Sequence, residues 1–223
     1  MKQCSAILIL GMMGLFVAPA SAGVNVGGTL ILHANPSLVF TGGGPGYCDM
    51  SDVEACSLAV ATIPADGSTH VIHVFAAFSD SVSERLSGIT FGVEYDSDDL
   101  DVVEYGSCGD FEIASPTWPE PGSGTAITWD APQSGSLIEA YWIAAYIAPS
   151  VHGALELIGH PTQGANFADD SIPSQVDSIS SFGTLGYGEP GEAACPELLP
   201  PGESGGEGGG EFIIYEGIAE GEF

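Results

Sequence analysis

Ile89-Thr90-Phe91-Gly92-Val93-Glu94-Tyr95 sets apolar side chains at every odd position and polar or glycyl residues at every even one. A two-residue period is that of a strand with one buried face. Similar runs fill most of the chain: Val26 to Ala34, Ser37 to Thr41, Ser57 to Thr62, Thr69 to Phe78 and Leu86 to Tyr95. Leu100 to Tyr105, Thr125 to Trp129, Leu137 to Ala148 and Ala154 to Ile158 continue the series. Turn-forming clusters such as Gly42-Gly43-Gly44-Pro45-Gly46 and Pro119-Glu120-Pro121-Gly122 separate them. The one short helical turn expected lies at Met50 to Cys56. Many short strands at near-regular spacing predict an all-β fold, an antiparallel β-sandwich or jelly roll.

The first 22 residues read as a signal peptide. Lys2 supplies the positive start, Ala6 to Val17 an apolar core, and Ala20-Ser21-Ala22 the small residues of a cleavage site. The apolar run falls short of the roughly 20 residues a spanning helix needs. Cleavage is therefore expected after Ala22. The mature chain is expected to be secreted or extracytoplasmic, in a periplasm or at a cell surface, with no membrane insertion.

Without Lys2, Arg85 is the sole Lys or Arg beside 30 Asp and Glu residues. Nucleic-acid binding depends on Lys and Arg displacing counterions, so this balance argues against DNA and RNA. Acidic lipid headgroups are disfavoured for the same reason. Divalent cations, neutral sugars and protein surfaces remain. Such charge also repels itself in the compact state, so salt- or calcium-rich surroundings are expected.

Beyond Cys4, the chain carries Cys48, Cys56, Cys108 and Cys195, an even number in an exported protein, which predicts two disulfides. Proximity favours Cys48–Cys56 as a local bridge and leaves Cys108–Cys195 as a long-range clasp. Residues 23–188 form the predicted sandwich. Residues 189–223, rich in Gly and Glu with a short apolar end at Phe212 to Ile218, read as a flexible, disordered acidic tail.

Two features suggest ligands. Asp96, Asp98, Asp99 and Asp101 crowd one turn, and hard cations such as calcium take several oxygen ligands. The spacing is not that of an EF-hand loop, and Asp is also a good turn former. Trp118, in the Pro-stiffened stretch Ser115 to Pro121, is the candidate ligand contact, an exposed indole suited to a sugar ring or a protein. Trp129 and Trp142 lie in strand patterns and are assigned to the core. His70 and His73 are three apart in a strand and point to opposite faces. His33, His152 and His160 stand alone. No catalytic motif is present, and the chain is expected not to be an enzyme.

The stretch Leu86 to Val103, an alternating strand ending in Tyr95-Asp96 and followed by a Leu-led strand, resembles the strand-turn-strand of bacterial cohesin-like sandwiches. Phe167-Ala168-Asp169-Asp170, Gln175-Val176-Asp177 and Phe182-Gly183-Thr184-Leu185 are similar to their closing strands. The resemblance implies a jelly-roll scaffold related to carbohydrate-binding modules. It carries over no partner-binding residue. The expected function is non-catalytic binding or scaffolding outside the cell, with a glycan or an extracellular protein as ligand. The alternatives are a secreted hydrolase using a carboxylate pair and a purely structural envelope component.

Overall fold

A computed structural model describes residues 23–44, 46–80 and 83–196. Residues 1–22, read above as a candidate signal, and residues 197–223, including the apolar stretch at 212–218, lie outside the described residues. Among the described residues, twelve strands form two sheets. The smaller has the order β1 (Thr29–Ala34), β3 (His70–Ala77), β8 (Leu137–Ile147), β5 (Leu100–Ser107). In the larger, β6 (Phe111–Ala114) pairs with β7 (Ser123–Gln133), and β7 with β4 (Leu86–Glu94). One half of β4 continues into β10 (Asn166–Ala168) and β11 (Val176–Ser178). The other half continues into β9 (Gly153–Ile158), β12 (Thr184–Tyr187) and β2 (Thr62–Ile63). Strand neighbours are antiparallel except β12 and β2. The all-β antiparallel sandwich is as expected.

The alternation in β4 works as read: Ile89, Phe91 and Val93 are buried in the core between the sheets. They meet Leu30, Leu32, Ile72, Val74 and Ile143 from the smaller sheet. At about 25 cal/mol per Å² of apolar surface removed from water, this core is the main stabilising contribution.

The smaller sheet behaves differently. β1 is buried at all six positions and β3 at seven of eight, because both faces are covered. The covering comes from residues 35–61. Tyr47, with Leu38 and Phe40, packs on Val71, Trp142 and Ala144. Val53, Cys56 and Ala59 pack on Ile31, Phe75 and Ala77. This roof replaces two expected strands: Ser37 to Thr41 is not a strand, and of Ser57 to Thr62 only Thr62 joins one, in β2. Its backbone is spent locally, as where Leu38 N–H donates to Asn35 O at 3.1 Å. The expected helical turn is a 3-10 turn at Cys56–Leu58, two residues wide of Met50 to Cys56.

Both disulfides fasten the roof, but not in the expected pairing. Cys48 bonds Cys108 at the end of β5, and Cys56 bonds Cys195. Proximity in sequence misled because Cys48 and Cys56 belong to different apolar clusters under the roof. After Gly188 the chain turns back along β12. Glu192 and Thr184 exchange backbone hydrogen bonds at 2.7 and 2.9 Å before Cys195 is reached.

Candidate binding surface

Trp118, expected as an exposed ligand contact, is a core residue. It is 7% exposed and stands edge-on to Phe91 and Tyr141, with ring centroids 5.7 and 5.5 Å away. Its indole N–H donates to the Tyr141 hydroxyl at 2.7 Å, which satisfies the polar edge that seemed to call for solvent. Burial pushes the Tyr141 hydroxyl well above its ordinary ionisation range. The Pro-stiffened loop folds the indole inward, so Trp118 offers no stacking face. Trp142 is buried as expected, and Trp129 is half-buried against the core.

The turn at 96–101 exposes all four of its aspartates. Asp96 acts as a turn former: its Oδ1 accepts the Asp98 N–H at 2.9 Å, and its carbonyl accepts the N–H groups of Asp99 and Leu100. Among the described residues, the one trio of ligand atoms lying within 4.8 Å of one another is Cys48, Cys108 and Glu139. Two of those three sulfur and oxygen donors are tied up in a disulfide.

His70 and His73 do point to opposite faces: His70 packs beside Tyr187 of the core, and His73 lies under the roof. His33 is not alone. It is the register partner of His73, with ring centroids 6.3 Å apart. Its Nδ1 accepts the Val60 N–H at 2.9 Å and its Nε2 bonds Ser51 O at 2.7 Å, so the proton sits on Nε2. Burial lowers the His33 pKa. His73 Nδ1 bonds Glu139 Oε1 at 2.7 Å, and Glu139 Oε2 accepts the Asp49 N–H at 2.8 Å. A polar seam thus ties the roof to the sheet between two apolar clusters. Strand register, invisible in the sequence, brings these residues together.

Accessible apolar side chains lie at several other places, β5 and β6 among them. β5 ends one sheet and β6 ends the other, and Cys108-Gly109-Asp110 joins them across one side of the sandwich. On β6 Phe111 and Ile113 are 60% and 59% exposed, and on β5 Val103 and Tyr105 are 47% and 43% exposed. Phe111 and Ile113 alternate with Glu112, whose carboxylate accepts the Thr125 hydroxyl at 2.7 Å. Tyr105 stacks on Tyr141 and donates to Trp118 O at 3.2 Å. Ser115 N–H bonds Gly124 O at 2.8 Å, so the two-residue alternation turns the backbone of Phe111 and Ile113 toward β7. Glu112 and Ala114 therefore aim their N–H and C=O groups at the free edge. Sequence reading passed over β6, a four-residue strand between Asp110 and Ser115. Its Phe-Glu-Ile-Ala alternation was the available signal.

No family model matches the chain, and no curated protein does. Solved structures similar to it include cohesin modules. One is the cohesin module of a Clostridium perfringens ATCC13124 family 33 glycoside hydrolase, at 10% identity over 72% of this chain and 94% of that one, TM-score 0.46. A type II cohesin domain from the cellulosome of Acetivibrio cellulolyticus matches at 10% identity, 57% and 90% coverage and TM-score 0.44. A non-cellulosomal cohesin from the archaeon Archaeoglobus fulgidus matches at 13% identity, 71% and 91% coverage and TM-score 0.41.

Proposed function

We propose that this chain is a non-catalytic binding module that works outside the cell and docks a protein on the open β5–β6 side of its sandwich. The observation carrying this reading is the exposure of Phe111 and Ile113 on β6, the outermost strand beside β7, on a chain with 30 acidic residues. Exposed apolar groups gathered at an unpaired strand edge favour a partner that supplies both side-chain contacts and backbone hydrogen bonds. The surrounding carboxylates, Asp110, Glu112 and Asp130 among them, favour one with a basic rim. A glycan is the weaker ligand class, since its stacking residue, Trp118, is buried.

Calcium belongs to the same proposal as a stabilising ion at the 96–101 turn, with Asp98, Asp99 and Asp101 drawing in around it beside Asp96. A melting temperature raised more by calcium than by sodium chloride of equal ionic strength supports that part, and equal shifts remove it.

The docking test is retention of an extracellular protein on the immobilised mature chain, followed by reconstitution with that protein purified. Phe111→Asp with Ile113→Asp is expected to abolish the reconstituted complex. Undiminished binding by the double variant, or product formation on a glycosidase and protease panel, overturns the reading.

A further inference from the structure

The N-terminal end of the described chain is held by a buried acid. Asp177, on β11, is 8% exposed. Its Oδ1 accepts the backbone N–H of Gly23 at 2.8 Å, and its Oδ2 accepts that of Asn25 at 3.0 Å. Asn25 is itself fully buried and exchanges hydrogen bonds with the backbone of Arg85 at 3.2 and 3.1 Å. A Cβ placed on Gly23 would lie 2.2 Å from Asp177 Oδ2, so the carboxylate closes around a residue without a side chain. Among the described residues this carboxylate accepts two amide N–H groups and has no cation bonded to it. That is costly in a low-dielectric setting.

Gly23 is also the residue that follows Ala20-Ser21-Ala22, the small-residue cleavage site. We infer that removal of residues 1–22 creates the missing counter-charge: the new α-ammonium of Gly23 pairs with Asp177. A signal-peptidase-type endopeptidase hydrolyses the Ala22–Gly23 bond with one water. The C–N bond breaks, Ala22 leaves as a carboxylate, and the Gly23 nitrogen becomes an amine that is protonated at neutral pH. The nitrogen already sits at hydrogen-bond distance from Oδ1, so cleavage converts an amide–carboxylate hydrogen bond into a hydrogen-bonded ion pair without moving the chain. Maturation thereby adds stability to the exported form and withholds it from the precursor. This inference is independent of the docking surface.

The composition provides a clean test. Lys2 leaves with the signal and no other lysine exists, so the α-amine is the chain's only primary amine. Amine-specific acetylation of the mature protein therefore removes one chosen charge. N-terminal sequencing of exported protein is expected to begin at Gly23. Acetylation of the unfolded chain, followed by refolding, should lower its melting temperature by roughly 3 °C or more. The same treatment should leave an Asp177→Asn variant unshifted. In native protein the amine should be acetylated more slowly than in urea, a readout that does not require the variant to fold. A different N-terminus, an acetylated wild type that melts as before, or equal shifts in wild type and Asp177→Asn overturns the inference, as does equal acetylation with and without urea.

Discussion

The indole N–H of Trp118 bonds the Tyr141 hydroxyl at 2.7 Å inside the core, where both rings also stand edge-on to Phe91. The Tyr141 hydroxyl also bonds the Glu112 carboxylate, so it is the Trp118 N–H that is stranded when the hydroxyl is removed. Tyr141→Phe is expected to cost about 1–3 kcal/mol, the penalty for a buried donor left without an acceptor. Trp118→Ala adds a cavity and is expected to cost about 3–5 kcal/mol. Urea denaturation measures both. A Trp118→Ala protein as stable as wild type would place the indole outside the core.

His33 makes stability depend on pH. Burial lowers its folded pKa below the ordinary value of 6.5, while the unfolded chain protonates near that value. Below 6.5 the unfolded state therefore binds the extra proton first, and the contribution of His33 is lost as pH falls toward its folded pKa. His73, Glu139 and Asp52 are the ionisable groups facing it. Between pH 7.5 and 5 the stability difference between wild type and His33→Gln should shrink by at most about 1.4 kcal/mol per pH unit. Parallel pH profiles would exclude the effect.

The disulfides close loops of 60 and 139 residues, worth about 4 and 5 kcal/mol in the chain-entropy picture. Peptide mapping without reduction should recover Cys48 with Cys108 and Cys56 with Cys195. Recovery of Cys48 with Cys56 would overturn the roof as described.

Phe111→Asp and Ile113→Asp act on exposed side chains, so each should leave folding stability within about 0.5 kcal/mol of wild type. Loss of the protein complex with an unchanged melting curve is the expected signature. A large drop in stability would assign the pair to packing instead.

Much of the sandwich was legible because β4 alternates, and the continuous apolar stretch Tyr141 to Ala148 already calls for burial on both faces. The roof that provides this was not legible. Residues 35–61 hold their backbone through local turns and side-chain bonds, such as Thr41 N–H to the Tyr47 hydroxyl at 2.6 Å, which leave no periodic trace. Trp118 was misplaced because a Pro-rich setting says that a loop is stiff, not which way it points. The pairing of His33 with His73 depends on register between strands 36 residues apart, which no local pattern encodes. Asp96, Asp98 and Asp99 precede β5 and Asp101 lies within it, an exposed placement that a run of acids between two strands makes legible.

Two crosslinks pin one cover at separated points, Cys48 and Cys56, so opening either alone leaves the other as a tether. Only a reductant that breaks both frees residues 35–61 to peel away and bare Ile31, Phe75 and Trp142 to water. In a thiol-rich compartment this molecule would carry a sticky flank of its own making, so oxidative surroundings are a condition of its remaining dispersed.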